Sequence, residues 1–138
     1  MEYYTPDIED IRIGYECQIR APKHKGQKFI IDEDQMQYAA MCIKAKILFT
    51  SYLTKEQIEA EGWIFKREYN NILNFETSNI WDESIKGGFL EYDTITKNLK
   101  ITTKDGGYNQ DGPNCSVKYN GKCPSINEFR YICKLLKI

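Results

Sequence analysis

Toward its end the sequence reads Ser125-Ile-Asn-Glu-Phe-Arg-Tyr-Ile-Cys-Lys-Leu-Leu136. Ser125 and Glu128 have the spacing of a capping box, in which each side chain bonds the backbone of the other residue at a helix start. Apolar residues then recur at i, i+3, i+4 and i+7, which places them on one helical face: Phe129, Ile132, Cys133 and Leu136. This stretch predicts an amphipathic helix over about 126–136 that lies across a sheet.

The preceding residues supply the strands of that sheet. Segments at 71–77, 88–95, 99–103 and 115–120 are typical of strands, and the tight connection Thr96-Lys97-Asn98-Leu99 predicts a hairpin between the second and third. Many strands with short connections and few helices indicate an α+β fold: a mainly antiparallel sheet with two or three short helices, the C-terminal helix being packed on the sheet. The 138 residues contain no repeat or linker, so we expect a single domain, 1–138.

A second helix start lies in the middle of the chain. Thr54-Lys-Glu-Gln57 has the capping-box spacing, and Gly62 can take the left-handed conformation that ends a helix. We therefore expect a short helix over 55–61, followed by a strand over 63–68.

The first fifty residues give a weaker pattern. Residues 11–20 alternate, which predicts a half-buried strand with one apolar face: Ile11, Ile13, Tyr15, Cys17 and Ile19. Residues 27–31 could return as a second strand. Residues 33–49 fit helical and strand spacing equally, and we favour a helix near 33–40 and a strand at 41–50. The Gly- and Asn-rich segment 104–114 is predicted to be a loop.

The composition is that of a folded protein, with 41% hydrophobic and 28% charged residues. The net charge of −1 makes nucleic acid an improbable partner, because free-standing nucleic-acid binders carry a basic excess. The charges are uneven, since residues 2–12 are mainly acidic and residues 118–137 mainly basic. Either the molecule is electrically two-sided or these are ordinary solvated residues.

The N-terminal residues are acidic and lack an apolar signal-peptide core, and no apolar run is long enough to span a membrane. We therefore expect a location in the cytoplasm of the host cell and no membrane partner. An odd number of cysteines in a reducing compartment predicts free thiols: Cys17, Cys42, Cys115, Cys123 and Cys133.

The residues needed for nucleophilic catalysis, metal binding or phosphate binding are missing or badly placed. The one histidine, His24, stands between two lysines in a predicted surface turn, where nothing orients it as a base. Zinc could use Cys115, Cys123 and Cys133 only if they converged, and no fourth ligand is evident. Residues 105–112 fail the calcium-loop pattern, and no phosphate-binding loop is present. The sequence predicts no enzyme, no cofactor and no metal site.

Aromatic side chains in polar surroundings are the remaining candidates for a binding role. Trp81 lies in a predicted loop, Tyr108 at the top of the Gly-rich segment, and Tyr3 and Tyr4 at the start of the chain. Exposed aromatics are common at protein contacts and ligand clamps. The alternative for Trp81 is that it caps the core.

Three segments together resemble a known group of proteins: 4–16, Tyr52-Leu-Thr-Lys-Glu-Gln-Ile-Glu-Ala-Glu-Gly-Trp63, and 119–136. They cover about a third of the chain. The set resembles a family of small uncharacterised proteins from phages and mobile elements of Bacteroides-like gut bacteria. The resemblance carries over no activity and no functional residue. It implies a genomic setting in which small accessory proteins often bind host factors, including defence systems.

Three functional hypotheses follow. The first is a non-enzymatic phage or mobile-element accessory protein that binds a host macromolecule, a host protein above all, such as a component of a defence system. The second is a protein that binds or sequesters a small molecule, for example a nucleotide, closed in by the loops around Trp81 and Tyr108. The third is a metal-dependent nuclease. The sequence leaves the oligomeric state open; a homodimer is possible, and oligomerisation would favour the second hypothesis.

Overall fold

The structure is a computed structural model that describes residues 2–20, 27–77, 87–110 and 112–138, with the backbone alone at 106–109, 112 and 113. Its contacts divide the chain into two compact units, Met1–Tyr52 and Leu53–Ile138, which we describe separately. Each unit has an antiparallel sheet and at least one helix, so the predicted α+β class is confirmed. The expectation of a single domain stays a prediction.

The first unit contains a four-stranded sheet in the order β1-β4-β2-β3 and one helix. Its elements are β1 (Tyr3–Tyr4), a 3-10 turn (Ile8–Asp10), β2 (Glu16–Ile19), β3 (Gln27–Ile30), a 3-10 turn (Glu33–Gln35), α1 (Met36–Lys44) and β4 (Leu48–Ser51). The predicted strand at 27–31 is confirmed as β3. The strand predicted over 11–20 is shorter, because Gly14 has a φ of 88° and Tyr15 N–H bonds the Arg12 carbonyl in a turn. Ile13 consequently leaves the predicted apolar face and is 61% exposed.

The boundary predicted between a helix at 33–40 and a strand at 41–50 is wrong. α1 continues to Lys44, and β4 begins only at Leu48. Ala39, Cys42 and Ile43 are buried at helical spacing, so burial of one helical face decides between the two patterns. Lys46, with a φ of 59°, lies in the turn that separates the helix from the strand.

The second unit contains a five-stranded antiparallel sheet in the order β5-β6-β7-β8-β9. Its elements are α2 (Lys55–Ala60), β5 (Ile64–Tyr69), β6 (Ile72–Glu76), β7 (Gly88–Asp93), β8 (Asn98–Asn109), β9 (Gly112–Lys122) and α3 (Ile126–Leu136). The predicted hairpin is confirmed as β7 and β8, whose turn is closed by Asp93 accepting the N–H groups of Ile95 and Thr96. These two hydrogen bonds lower the pKa of the Asp93 carboxyl.

Both predicted helices of this unit are confirmed. In α2 the Thr54 hydroxyl accepts from Gln57 N–H at 3.2 Å, the Gln57 side chain accepts from Thr54 N–H at 3.0 Å, and Gly62 has a φ of 99°. At α3 the predicted capping box is wrong in detail. The Ser125 hydroxyl accepts from Asn127 N–H at 3.2 Å and donates to the Glu128 carboxylate, a charge-assisted bond that engages the side chain expected to reach back to the backbone.

The predicted inner stripe of α3 meets the sheet as expected. Phe129 and Ile132 are buried, and Cys133 and Leu136 pack against the same core. The rest of this core comes from α2, three strands and the first residue of α3, together with residues just outside the elements: Leu53, Ile58, Trp63, Leu73, Phe75, Leu90, Tyr92, Leu99, Ile101, Cys123 and Ile126. Helices therefore cover one face of the five-stranded sheet.

The loop predicted at 104–114 is replaced by a continuation of the β8–β9 hairpin. Lys104 pairs with Cys115, the register then shifts, and Tyr108 pairs with Pro113. Strand pairing overrides the local preference of the glycines for a turn. Pro113 is compatible with this arrangement because β9 is an edge strand, where a missing N–H is tolerated.

Candidate binding face and cleft of the C-terminal helix

α3 presents a second apolar stripe on the face away from the core. Tyr131 is 46% exposed and Leu135 is 62% exposed, and they stand four residues apart on the helix. We call these two residues the outer stripe. Ile138, just beyond the helix, is also exposed. A helix that has already buried one stripe in its own core has no intramolecular need for a second, so the outer stripe marks a candidate contact surface.

Basic residues flank the outer stripe. Arg130, Lys134 and Lys137 are all exposed, whereas the acidic residue of this helix, Glu128, is bonded to Ser125 at its start. Lys137 occupies the left-handed position that ends α3, where a cation also complements the negative end of the helix dipole. The exposed face of α3 therefore combines apolar and positively charged groups.

A cleft of about 310 Å³ adjoins α3. Its walls come from the end of α2, the residue before β5, the ends of β6 and β7 that face each other, and one side of α3. The lining side chains that bear on its chemistry are Glu61, Trp63, Thr77, Arg130, Cys133 and Lys134. The cleft thus lies beside the outer stripe, with Arg130 and Lys134 between the two.

The described charged side chains that line the cleft are positive on balance. Arg130 Nε donates to Glu61 Oε1 at 2.6 Å, which joins α3 to the end of α2. Both side chains of this pair are partly exposed, so the pair contributes little stability and chiefly fixes the orientation of the guanidinium. Lys134 also lines the cleft and, among the residues that the structure describes, pairs with no carboxylate within 4.0 Å. Among the described side chains of the lining, two cations therefore stand against one carboxylate.

The floor of the cleft is apolar. Trp63 is 7% exposed and Phe129 is fully buried, so Trp63 offers the edge of a packed aromatic core. Cys133 is half-buried beside them. Burial, together with the Glu61 carboxylate, raises the pKa of this thiol to about 11, so it is protonated near neutral pH.

Thr77 and two glycines form the wall made by the sheet. Gly88 N–H donates to the Thr77 hydroxyl at 3.0 Å, and Thr77 N–H donates to the Gly88 carbonyl at 3.1 Å. A side chain on Gly87 would overlap the Thr77 hydroxyl, and one on Gly88 would overlap the Thr102 carbonyl. Glycine at both positions keeps the strands close and leaves this wall formed by backbone and one hydroxyl.

Two of the four aromatics predicted from the sequence, Tyr3 and Tyr4, lie in the first unit. Trp81 and the side chain of Tyr108 lie outside the described residues. In the first unit, the Arg20 guanidinium lies 4.4 Å from the centre of the Tyr3 ring, and Tyr4 stacks on Tyr52 with ring centres 4.7 Å apart. Tyr3 and Tyr4 are half-buried in these contacts. Their binding role, like that of Trp81 and Tyr108, stays a prediction.

The sequence contained a signal for the outer stripe but not for the cleft. Tyr131 and Leu135 have helical spacing, and they could have been recognised as a second apolar stripe once the inner one was assigned. The cleft residues come from five separate elements or their ends, and only the tertiary fold brings Glu61, Thr77 and Lys134 around one cavity.

Within the described ranges, no three His, Cys, Asp or Glu side chains lie close enough together to hold a metal ion. Burial, with a further contribution from the Glu128 carboxylate, raises the pKa of the Cys123 thiol. His24 lies outside the described residues. No helix in the described part of the chain has the length and apolar character needed to cross a membrane.

Comparison with protein-family models, curated proteins and solved structures finds no match to this chain.

Proposed function

We propose that this chain is a non-enzymatic accessory protein that acts by binding an acidic macromolecular partner through the exposed face of α3. The observation that carries the proposal is the outer stripe, two large side chains exposed on a helix whose other face is already packed. Tyrosine is enriched at protein interfaces because its ring buries a large area while its hydroxyl stays hydrogen-bonded.

The charges around the stripe favour an acidic partner. Arg130, Lys134 and Lys137 lie along one side of Tyr131 and Leu135, while the chain as a whole has a net charge of −1. A basic patch on a slightly acidic protein steers an acidic surface to one face and repels it from others. Attraction of this kind raises the association rate and weakens as salt is added.

A protein surface is a better match than nucleic acid. Nucleic-acid binders draw most of their affinity from contacts with phosphates, which an overall acidic chain with a few local cations does not favour. An apolar pair with cations along one side instead suits a partner surface that has a small apolar patch bordered by Asp and Glu. The sequence resemblance to phage and mobile-element proteins supports a host protein, such as a defence component, as that partner.

The test compares two double variants of the tagged full chain. Tyr131→Ala/Leu135→Ala removes the outer stripe. Tyr69→Ala/Ile95→Ala is the matched control, because it removes an aromatic and an aliphatic side chain that are 71% and 70% exposed elsewhere in the same unit. Each is incubated with lysate of a gut Bacteroides strain, and bound proteins are identified by mass spectrometry. The partner is then purified and its Kd measured by calorimetry.

We expect one partner at near-stoichiometric yield with the wild type and the control. The stripe variant should bind it about tenfold or more weakly, since truncating an interface anchor typically costs more than about 1 kcal/mol. The partner should carry an acidic surface, and raising the salt concentration should weaken binding. Equal binding by the stripe variant would refute the proposal. Self-association of the purified chain that the stripe substitutions abolish would replace the host partner with a second copy.

A further inference from the structure

We propose that the cleft beside α3 is a small-molecule site that takes an organic anion, an apolar ring or chain carrying one carboxylate or phosphate group. This inference goes beyond the docking of a macromolecule. It concerns a cavity with its own floor and walls, and it requires no contact with the outer stripe.

The dimensions of the cleft fit a small ligand. Its volume of about 310 Å³ lies at the lower end of the range for ligand pockets, roughly 300–1,000 Å³. Ligand pockets are mostly apolar with a few convergent polar groups, and this cleft has that composition. Trp63 makes the accessible part of the apolar floor, while Thr77 and the two cations supply the polar groups.

The charged side chains of the cleft determine the sign of the charge that a ligand must carry. Glu61 is already bonded to Arg130 Nε at 2.6 Å, so that carboxylate is satisfied by its own neighbour. Lys134 brings a second positive charge to the lining without a carboxylate of its own among the described residues. An anion entering the cleft would meet an oriented guanidinium and an exposed ammonium group, which form stronger hydrogen bonds with charged acceptors than with neutral ones.

The floor requires the rest of the ligand to be apolar. A bare inorganic anion would leave the exposed edge of Trp63 in contact with water, whereas a ring or short chain would cover it. A neutral apolar molecule would cover the floor but gain nothing from Lys134. Binding should therefore need both parts of the ligand, the anionic group and the apolar body.

The experiment uses four probes on the purified full chain: benzoate, phenyl phosphate, benzyl alcohol and inorganic phosphate. Binding is followed by two-dimensional ¹H–¹⁵N NMR, through the backbone amides of Gly62, Thr77 and Gly88 and the indole N–H of Trp63. A second readout is protection of Cys133 against alkylation, with Cys115, which does not line the cleft, as the internal reference. Ligands of this size reach at best millimolar to micromolar Kd values.

We expect benzoate and phenyl phosphate to shift the cleft signals and slow alkylation of Cys133 but not of Cys115. Benzyl alcohol and inorganic phosphate should bind at least about tenfold more weakly. Lys134→Gln should weaken benzoate binding by about tenfold, whereas Lys137→Gln, on the same helix but outside the cleft, should not. Phenyl phosphate binding without benzoate binding would assign the anionic group as phosphate.

Three results would overturn the proposal: no shift and no protection with either organic anion at millimolar concentration, equal binding of benzyl alcohol, or benzoate binding unchanged in Lys134→Gln. The stripe variant Tyr131→Ala/Leu135→Ala should bind benzoate as the wild type does. Failure of the macromolecular proposal and failure of this one are therefore distinguishable.

Discussion

The Tyr92 phenol donates a hydrogen bond to the carbonyl oxygen of Cys123, 3.0 Å away and fully buried. Tyr92 lies on β7, and Cys123 lies in the short segment between β9 and α3. The same segment is held by two further backbone bonds, from Cys123 N–H to the Lys97 carbonyl and from Leu53 N–H to the Pro124 carbonyl. This buried bond therefore fixes the point from which α3 crosses the sheet.

Replacing Tyr92 with Phe should destabilise the protein by about 1–3 kcal/mol, because the substitution leaves the buried carbonyl of Cys123 without the phenol as donor. The free energy of unfolding is measured by urea titration. Tyr69→Phe removes the hydroxyl of a side chain that is 71% exposed, and it should change stability by less than about 0.5 kcal/mol. Equal effects of the two substitutions would contradict the role assigned to the Tyr92 bond.

Gly88 and Gly62 should respond differently to substitution. A Cβ on Gly88 would overlap the Thr102 carbonyl on the neighbouring strand, so Gly88→Ala should cost about 3 kcal/mol or more. Gly62 has open space around it but a φ of 99°, so Gly62→Ala should cost only about 1–2 kcal/mol.

Substitution by asparagine separates the two causes of destabilisation, which are steric overlap at Gly88 and left-handed backbone at Gly62. Gly62→Asn should recover part of the loss, since Asn tolerates left-handed backbone, whereas Gly88→Asn should be at least as damaging as Gly88→Ala. Thermal unfolding, followed by circular dichroism, ranks the stabilities of the four variants. A better tolerance of Asn than of Ala at position 88 would show that the Thr102 backbone moves aside.

The cap of α2 should contribute measurably to stability. Thr54→Ala removes the hydroxyl that accepts from Gln57 N–H and should cost about 1 kcal/mol, while Thr54→Ser keeps the acceptor and should cost less. Gln57→Ala removes the reciprocal bond to Thr54 N–H. Urea titration of the three variants tests the capping box, and an unchanged midpoint in Thr54→Ala would show that packing of Ile58 alone holds the helix.

The features that sequence reasoning could predict are those fixed by neighbouring residues. Thr54 and Gln57 are three residues apart, and the inner stripe of α3 repeats at helical spacing, so their structures follow from local rules. The boundary between α1 and β4 could not be found in this way, because Ile43 and Ile47 satisfy both periodicities and burial against other elements decides.

The strand pairing at 104–114 likewise depends on a partner across the hairpin rather than on the glycines themselves. Of these features, the cleft is the one least predictable from local sequence. Glu61 and Arg130 are sixty-nine residues apart in the chain, and no local pattern indicates that their side chains meet.

High pH should destabilise the protein through its buried thiols. Burial, with the nearby Cys42 thiol as a smaller cause, raises the pKa of Cys17 from 9.0 to about 12, and burial raises the pKa of Cys123 as well. A thiol is charged only when deprotonated, so the folded chain keeps these protons at a pH where the unfolded chain has lost them. The stabilisation is complete below about pH 9 and is lost as the pH rises from there toward 12.

The variant Cys17→Ala/Cys123→Ala isolates this effect from the lysines and tyrosines that titrate in the same range. Urea titrations under reducing conditions at about pH 8 and about pH 10.5 give the loss of stability for each protein. The wild type should lose more stability between the two pH values than the variant does. The variant should nevertheless be less stable at the lower pH, because it has lost buried side-chain volume. Equal losses would mean that the two thiols ionise alike in the folded and unfolded chain. Burial of Cys17 and Cys123 in the two cores predicts the opposite.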